Sequence, residues 1–104
     1  MPLYISLMRL TQRGLDTLHD SPARRAISER RVAALGGRSI SFHATLGTYD
    51  FVQLFEMPDS AAMMQYALSA RQDGYVDPLI LPAFDPDSYD AILAAATAPP
   101  TQET

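Results

Sequence analysis

Two runs of alternating apolar and polar residues flank one short turn, and this constrains the chain more than any other feature. From Ser39 to Leu46, Ile40, Phe42, Ala44 and Leu46 fall on one side, and Ser41, His43 and Thr45 on the other. Side chains alternate across a strand, so this period of two predicts one. Gly47-Thr48-Tyr49-Asp50 then reads as a tight turn, and Phe51 to Glu56 as the returning strand of a β-hairpin. Pro58 ends it.

The flanking segments supply partners for that hairpin. Leu3 to Leu10 alternates as a strand, with Leu3, Ile5 and Leu7 opposite Tyr4, Ser6 and Met8. Thr11-Gln12-Arg13-Gly14 is a break, and a short helical turn through Leu15 and Leu18 follows. Asp20-Ser21-Pro22 predicts a helix start, with Ser21 as cap and Pro22 in the first turn. Ala23, Ile27, Ala34 and Leu35 form its expected inner face, and Gly36-Gly37 stops it. Asp59 or Ser60 caps a second helix. Its stripe is Met63, Tyr66, Ala67 and Ala70, and Asp73-Gly74 closes it. Tyr75 to Phe84 is extended, and Pro78 and Pro82 assign it to an edge. Asp85-Pro86-Asp87 opens a last helix with the stripe Tyr89, Ile92, Leu93 and Ala96. The order is β-α-β-β-α-β followed by a helix, an α+β, ferredoxin-like pattern.

Composition sets the outer bounds. A chain of 104 residues supports one core, so residues 1–98 are expected to form a single domain and 99–104 a disordered tail. With 47% hydrophobic residues the chain is built to fold. It has no cysteine, which excludes a disulfide framework, a thiol nucleophile and a Cys-type zinc site. No apolar run reaches membrane-spanning length, and Met1 to Leu10 does not read as a signal peptide, so the expected compartment is the cytoplasm. The formal net charge of −4 argues against a nucleic-acid partner. All eight basic residues are arginine. Arg24, Arg25, Arg30 and Arg31 gather on the first long helix, either as a solvated face or as a docking patch for an acidic partner.

The hairpin segment Thr45-Leu46-Gly47-Thr48-Tyr49-Asp50-Phe51-Val52 resembles the hallmark of the GYD domain family, with Gly47, Tyr49 and Asp50 as the signature. Gly14, Asp20-Ser21-Pro22, Gly36-Gly37 and Ala83-Phe84 are similar to the family's other turns. The resemblance covers about residues 3 to 95. It implies ferredoxin-like subunits whose sheets pack face to face in a dimeric α/β barrel. It implies no defined activity. The turn has its own physics: Gly47 suits a positive φ, and Asp50 can accept hydrogen bonds from turn amides.

The sheet's second face carries the strongest functional expectation. Two helices cover one face only. Tyr4 and Met8, in a mixed set with Ser41, His43 and Thr45, are poor residues to leave in water. An apolar patch on an antiparallel sheet predicts a partner, and a second copy of the chain would bury it.

Candidate chemistry is sparse. His43, mid-strand, could accept a proton. Tyr4, His43, Tyr49 and Asp50 are the expected ligand contacts, with Gly47 and Asp50 also shaping the turn. Asp16, His19 and Asp20 share a helical side, but the pattern is short and no metal is expected. Tyr66, Tyr75, Phe42, Phe51 and Phe55 suit an aromatic pocket or the core, and Met57, Met63 and Met64 adapt to either. No GxGxxG, phosphate loop or nucleophile elbow appears, so no cofactor is expected. Three functions stay in play: an oligomeric module binding an apolar or aromatic metabolite; a cofactor-independent monooxygenase or isomerase using His43, which the resemblance to dimeric α/β-barrel proteins implies by fold-level analogy; or a purely structural interaction protein.

Overall fold

A computed structural model of the protein describes residues 1–100. Four strands form one antiparallel sheet: β1 (Leu3–Leu10), β2 (Arg38–Ala44), β3 (Phe51–Glu56) and β4 (Val76–Ala83). Their spatial order is β2-β3-β1-β4. The helices are α1 (Gln12–Asp16), α2 (Ser21–Ala34), α3 (Ser60–Asp73) and α4 (Pro86–Thr97), with a single 3-10 turn at Leu18–Asp20. This is the ferredoxin-like α+β arrangement with an added C-terminal helix. Among these residues no helix is long and apolar enough to cross a membrane. Most of the expected tail, residues 101–104, lies outside the described residues.

The core sits between the sheet and the two long helices. Tyr4, Phe55 and Met57 meet Val32 from α2 and Met63, Tyr66 and Ala67 from α3. Phe55 lies edge-on to Tyr66, with ring centroids 5.3 Å apart. The α3 stripe is therefore as expected. Asp59 caps that helix by accepting from the Ala62 amide at 2.8 Å, and Gly74 ends it at φ +75°. Both proline-bearing positions lie on β4, an edge strand, where a missing N–H costs least.

Three expectations are corrected. Ser21 does not cap α2. The 3-10 turn runs straight into the helix, so Asp20 already has φ −86° and ψ −1° and Ser21 is helical. Of the expected inner face of α2, Ala23 and Ala34 are exposed, Ile27 is only partly covered at 40% exposure, and Leu35 packs against the core. Ser21, Arg24, Ser28 and Arg31 are partly covered instead, and Val32 is buried. Finally, β2 does not keep one phase. A bulge between Ser39 and Ser41 shifts its register, so Phe42 and Ala44 lie opposite Gln53 and Phe51 on the helix-covered face. The strand also stops at Ala44, and Leu46 is fully exposed.

α4 stands apart. It packs extensively on no other element, and Tyr89, Ile92 and Leu93 on its apolar stripe remain 55%, 48% and 44% exposed. The molecule is accordingly long, 65 × 31 × 19 Å, with a radius of gyration of 17.1 Å. A compact chain of this length would have about 13 Å. Asp85 caps α4 by accepting from the Ser88 amide at 2.8 Å, and this bond to the charged form holds its carboxyl below the ordinary 3.8. A depressed carboxylate stabilises above its unfolded pKa and ceases to as pH falls through the folded one. Acidification below about pH 4 is thus expected to fray the first turn of α4. Amide exchange at Ser88 and Tyr89 checks this, and Asp85→Asn should remove the pH dependence.

Gly14 marks the tightest approach in the fold. A Cβ there would lie 2.2 Å from the Tyr75 carbonyl oxygen and 2.9 Å from Leu10 Cδ2. The contact joins α1 to the start of β4, which Thr11 also ties by donating from its amide to Tyr75 O at 3.1 Å and from its hydroxyl to Gly74 O at 2.6 Å. Gly14→Ala is expected to destabilise by about 1–3 kcal/mol through overpacking against backbone that cannot yield. Urea unfolding measures it.

Candidate functional site

The Gly47-Thr48-Tyr49-Asp50 turn is bolted to the central strand. The Asp50 carboxylate accepts from the Leu10 amide at 2.8 Å, and the Asp50 amide donates to Met8 O at 2.8 Å. The Thr45 amide donates to Asp50 O, and its hydroxyl donates to Tyr49 O at 2.6 Å. Gly47 takes φ +101°, as a turn of this kind needs. The carboxylate therefore serves β1 rather than the turn's own amides. It satisfies a strand-end donor forty residues away in sequence. Tyr49 lies beside it with the Arg9 guanidinium 5.3 Å from its ring centroid.

The four expected ligand contacts are not gathered. Tyr4 pairs with Phe55 and Pro82 on the covered face and is buried in the core. His43 pairs with Val52, which pairs in turn with Leu7, so it lies on the opposite, open face and is exposed. Tyr49 and Asp50 occupy the hairpin end. Within one chain the sheet itself separates Tyr4 from His43. Asp16, His19 and Asp20 lie on α1 and the 3-10 turn, with His19 Nε2 3.5 Å from Asp20 Oδ1. Among the described residues no three ligating side chains converge to hold a metal ion.

Two other places draw side chains together. The first is the open sheet face. Cross-strand pairs put Leu3, Ile5 and Leu7 beside Val52 and Leu54 on one flank and Leu79, Leu81 and Ala83 on the other. Leu79 is 46% and Leu81 39% exposed. The uncovered face is thus the strongly apolar one, while Tyr4 and Met8, expected there, lie beneath the helices.

The second is a cavity of about 310 Å³ between the sheet and helices α2 and α3. Met8, Phe42, Phe51, Pro78 and Ile80 make an apolar floor. Gln53 lies in it, 1% exposed, at the middle of β3. The wall from α2 is Ser21, Arg24, Arg25, Ile27, Ser28 and Arg31. An inward helix face of that composition is unusual, because a helix covering a sheet normally presents apolar residues. Arg31 is ion-paired with Asp73 of α3. Arg24 donates to the carbonyls of Thr17 and Gly14 and lies 4.5 Å from the Tyr75 ring centroid. Arg25 lies 5.2 Å over the Phe42 ring. Neither Arg24 nor Arg25 has a carboxylate partner among the described residues.

Tyr66 closes the deep end. Burial pushes its hydroxyl above the ordinary value of 10.0, against the opposing hydrogen bond with Ser28, so it is a neutral donor. Its one hydrogen goes to Gln53 Oε1 at 3.5 Å, which leaves Ser28 to donate to the Tyr66 oxygen. The chain of donors runs Ser28 to Tyr66 to Gln53 and ends at Gln53 Nε2, which is buried with no partner. Gln53 was legible in principle as the polar residue inside Phe51-Val52-Gln53-Leu54-Phe55. The cationic wall was not, because α2's arginines read as a solvated face.

With that geometry in place, the chain can be assigned to its class. The GYD domain family matches residues 4–93, and the protein belongs to it. It is also similar to the glutamine synthetase and cystathionine beta-lyase binding protein of Thermus thermophilus, with 33% identity over 84 residues, 80% of this chain and 88% of that one. No solved structure matches it.

Removing the Asp50 carboxylate should leave a strand amide unpaired. Asp50→Ala is expected to cost about 1–3 kcal/mol, and Asp50→Asn less, since its amide oxygen can still accept. Thermal unfolding of both variants tests this.

Proposed function

We propose that the protein is a homodimeric cytoplasmic binding module, built by packing two open sheet faces together, that docks onto metabolic enzymes. The apolar open face carries this proposal. Four strands at about 4.8 Å spacing and about 20–26 Å long give a face on the order of 400–500 Å². Apolar patches of that size are often functional surfaces. A stable interface buries about 800 Å² per partner, more than the sheet alone supplies. The free stripe of α4 makes up the difference by lying against the second copy. A closed two-fold pair also satisfies the apolar patch without leaving it open for further copies. His43 falls inside that interface, where an imidazole can be hydrogen-bonded across it.

The docking role draws on the Thermus protein, whose name states that it binds glutamine synthetase and cystathionine beta-lyase. A catalytic role for His43, as proton acceptor in a monooxygenase or isomerase, receives less support, because Tyr4 is behind the sheet and Tyr49 at the hairpin end. A second reading, an apolar or aromatic metabolite held within each subunit, is favoured by one observation: the cavity of about 310 Å³ has an apolar, partly aromatic floor.

Light scattering after size exclusion should give twice the 11.4 kDa chain mass, and Leu81→Arg should give monomer. A monomeric native protein would refute the sheet packing. Calorimetric titration with glutamine synthetase and cystathionine beta-lyase from the same organism should show binding to at least one. No heat with either enzyme would refute the docking role while leaving the dimer intact.

A further inference from the structure

We infer that the cavity between α2, α3 and the sheet binds a small amphipathic carboxylate, with an apolar body inside and the acid group outside at Arg25. The inference deepens the second reading above and rests on it, and it does not depend on dimerisation. The cavity exists because both helices offer small side chains where a core needs large ones. α2 lines it with Ser21 and Ser28, and α3 with Ala67 and Ala70. The sheet opposite contributes Met8, Phe42, Phe51 and Ile80. The Phe42 and Phe51 rings lie 5.2 Å apart, tilted by 34°. The resulting space of about 310 Å³ is at the lower limit of ligand pockets, and it suits a body no larger than a single ring or a short chain.

The cations around it are not equivalent. Arg31 is ion-paired with Asp73. Arg24 is engaged by the carbonyls of Thr17 and Gly14 and by the Thr17 hydroxyl. Arg25 differs from both. It lines the cavity yet is exposed, so it stands at the rim. Among the described residues it takes part in no ion pair, and Glu29, one turn further along α2, is not its partner. The Phe42 ring seats its guanidinium instead, 5.2 Å from the centroid. That contact leaves the guanidinium's fork of donors for a planar carboxylate, which it matches with two parallel bonds. Phe42 is thus shared: it is floor to the cavity and seat to the cation. A body lying against Phe42 brings its own head beside Arg25. One uncompensated cation selects a monoanion. The interior selects an apolar body, because a polar group taken inside loses its water.

The test titrates the full chain with four probes of about 12 non-hydrogen atoms, followed by amide chemical shifts. 4-Isopropylbenzoate and decanoate carry the acid on a ring and on a chain. 4-Isopropylbenzamide lacks the charge, and 4-acetylbenzoate places a carbonyl at the inner end. The expected result is a Kd in the low millimolar range for at least one apolar acid, with shifts at Phe42, Ala67 and Ala70. Binding of either acid upholds the inference, and the tighter one assigns the body as ring or chain. The benzamide should bind about fivefold more weakly than its acid, the size of one solvent-exposed charge contact. 4-Acetylbenzoate should bind about tenfold more weakly than the isopropyl acid. In Arg25→Met both acids should weaken about fivefold and the benzamide should not change. Ala70→Leu fills the hollow and should abolish binding without lowering the thermal midpoint. Arg25 is exposed, so its variant keeps the test decisive should Ala70→Leu fold poorly. No binding of either acid or of the benzamide at about 10 mM refutes this inference and the metabolite reading together. Equal binding of acid and amide, or acid affinity unchanged in Arg25→Met, refutes this inference alone. Undiminished binding to a folded Ala70→Leu puts the acid outside the cavity and refutes it too.

Discussion

β1 is apolar on both sides, and one layer of helices can cover only one of them. The rest of the structure follows from that imbalance. As a central strand β1 is paired along its length with both β3 and β4. Its Tyr4, Ser6 and Met8 side is covered by α2 and α3 and is buried. Its Leu3, Ile5 and Leu7 side is only half-buried, shielded by neighbours within the sheet and by nothing above it. Every leucine or valine that β3 and β4 add on that side enlarges the same uncovered surface. Among the described residues no element forms a second layer over it, and the proposed dimer rests on that uncovered surface.

The covered side has its own imbalance. α3 brings Met63, Tyr66 and Ala67 down onto the sheet. α2 seats only Val32 firmly, and toward its N-terminus it faces inward with serine and arginine. The two helices thus close the core well at one end of the sheet and leave it hollow at the other. The hollow is where Gln53 is stranded. A core built for stability alone would place leucine there, and the polar chain from Ser28 to Gln53 is where this core departs from that rule.

Much of the fold was legible because its signals are local. β3 occupies Phe51–Glu56 as expected, Asp59 and Asp85 cap their helices, Gly36 and Gly74 take positive φ at helix ends, and two prolines assign β4 to an edge. The failures share a cause: each depended on a partner outside the local window. The bulge in β2 is set by pairing with β3, and it moves Phe42 and Ala44 to the helix side. The inner face of α2 is set by how the helix sits on the sheet, and apolar periodicity picked Ala23 and Ala34, which are exposed. Asp50 was recognised as a turn acceptor, but its donor is Leu10 of β1. The cavity was invisible because it is a shortage of packing shared among six elements, and no single segment records it.

The two borders of the sheet differ in a way that bears on how copies can add. β4 carries Pro78 and Pro82, which cannot donate to an incoming strand, so one border resists lateral extension. β2 forms the other border and contains no proline from Arg38 to Ala44. Growth that joined the β2 border of one copy to the β4 border of the next would stall at its first junction. Ladder formation can therefore unite two β2 borders at most, and a chain with so large an apolar face is guarded against running into fibres by two prolines, one of them, Pro78, buried beneath the helices.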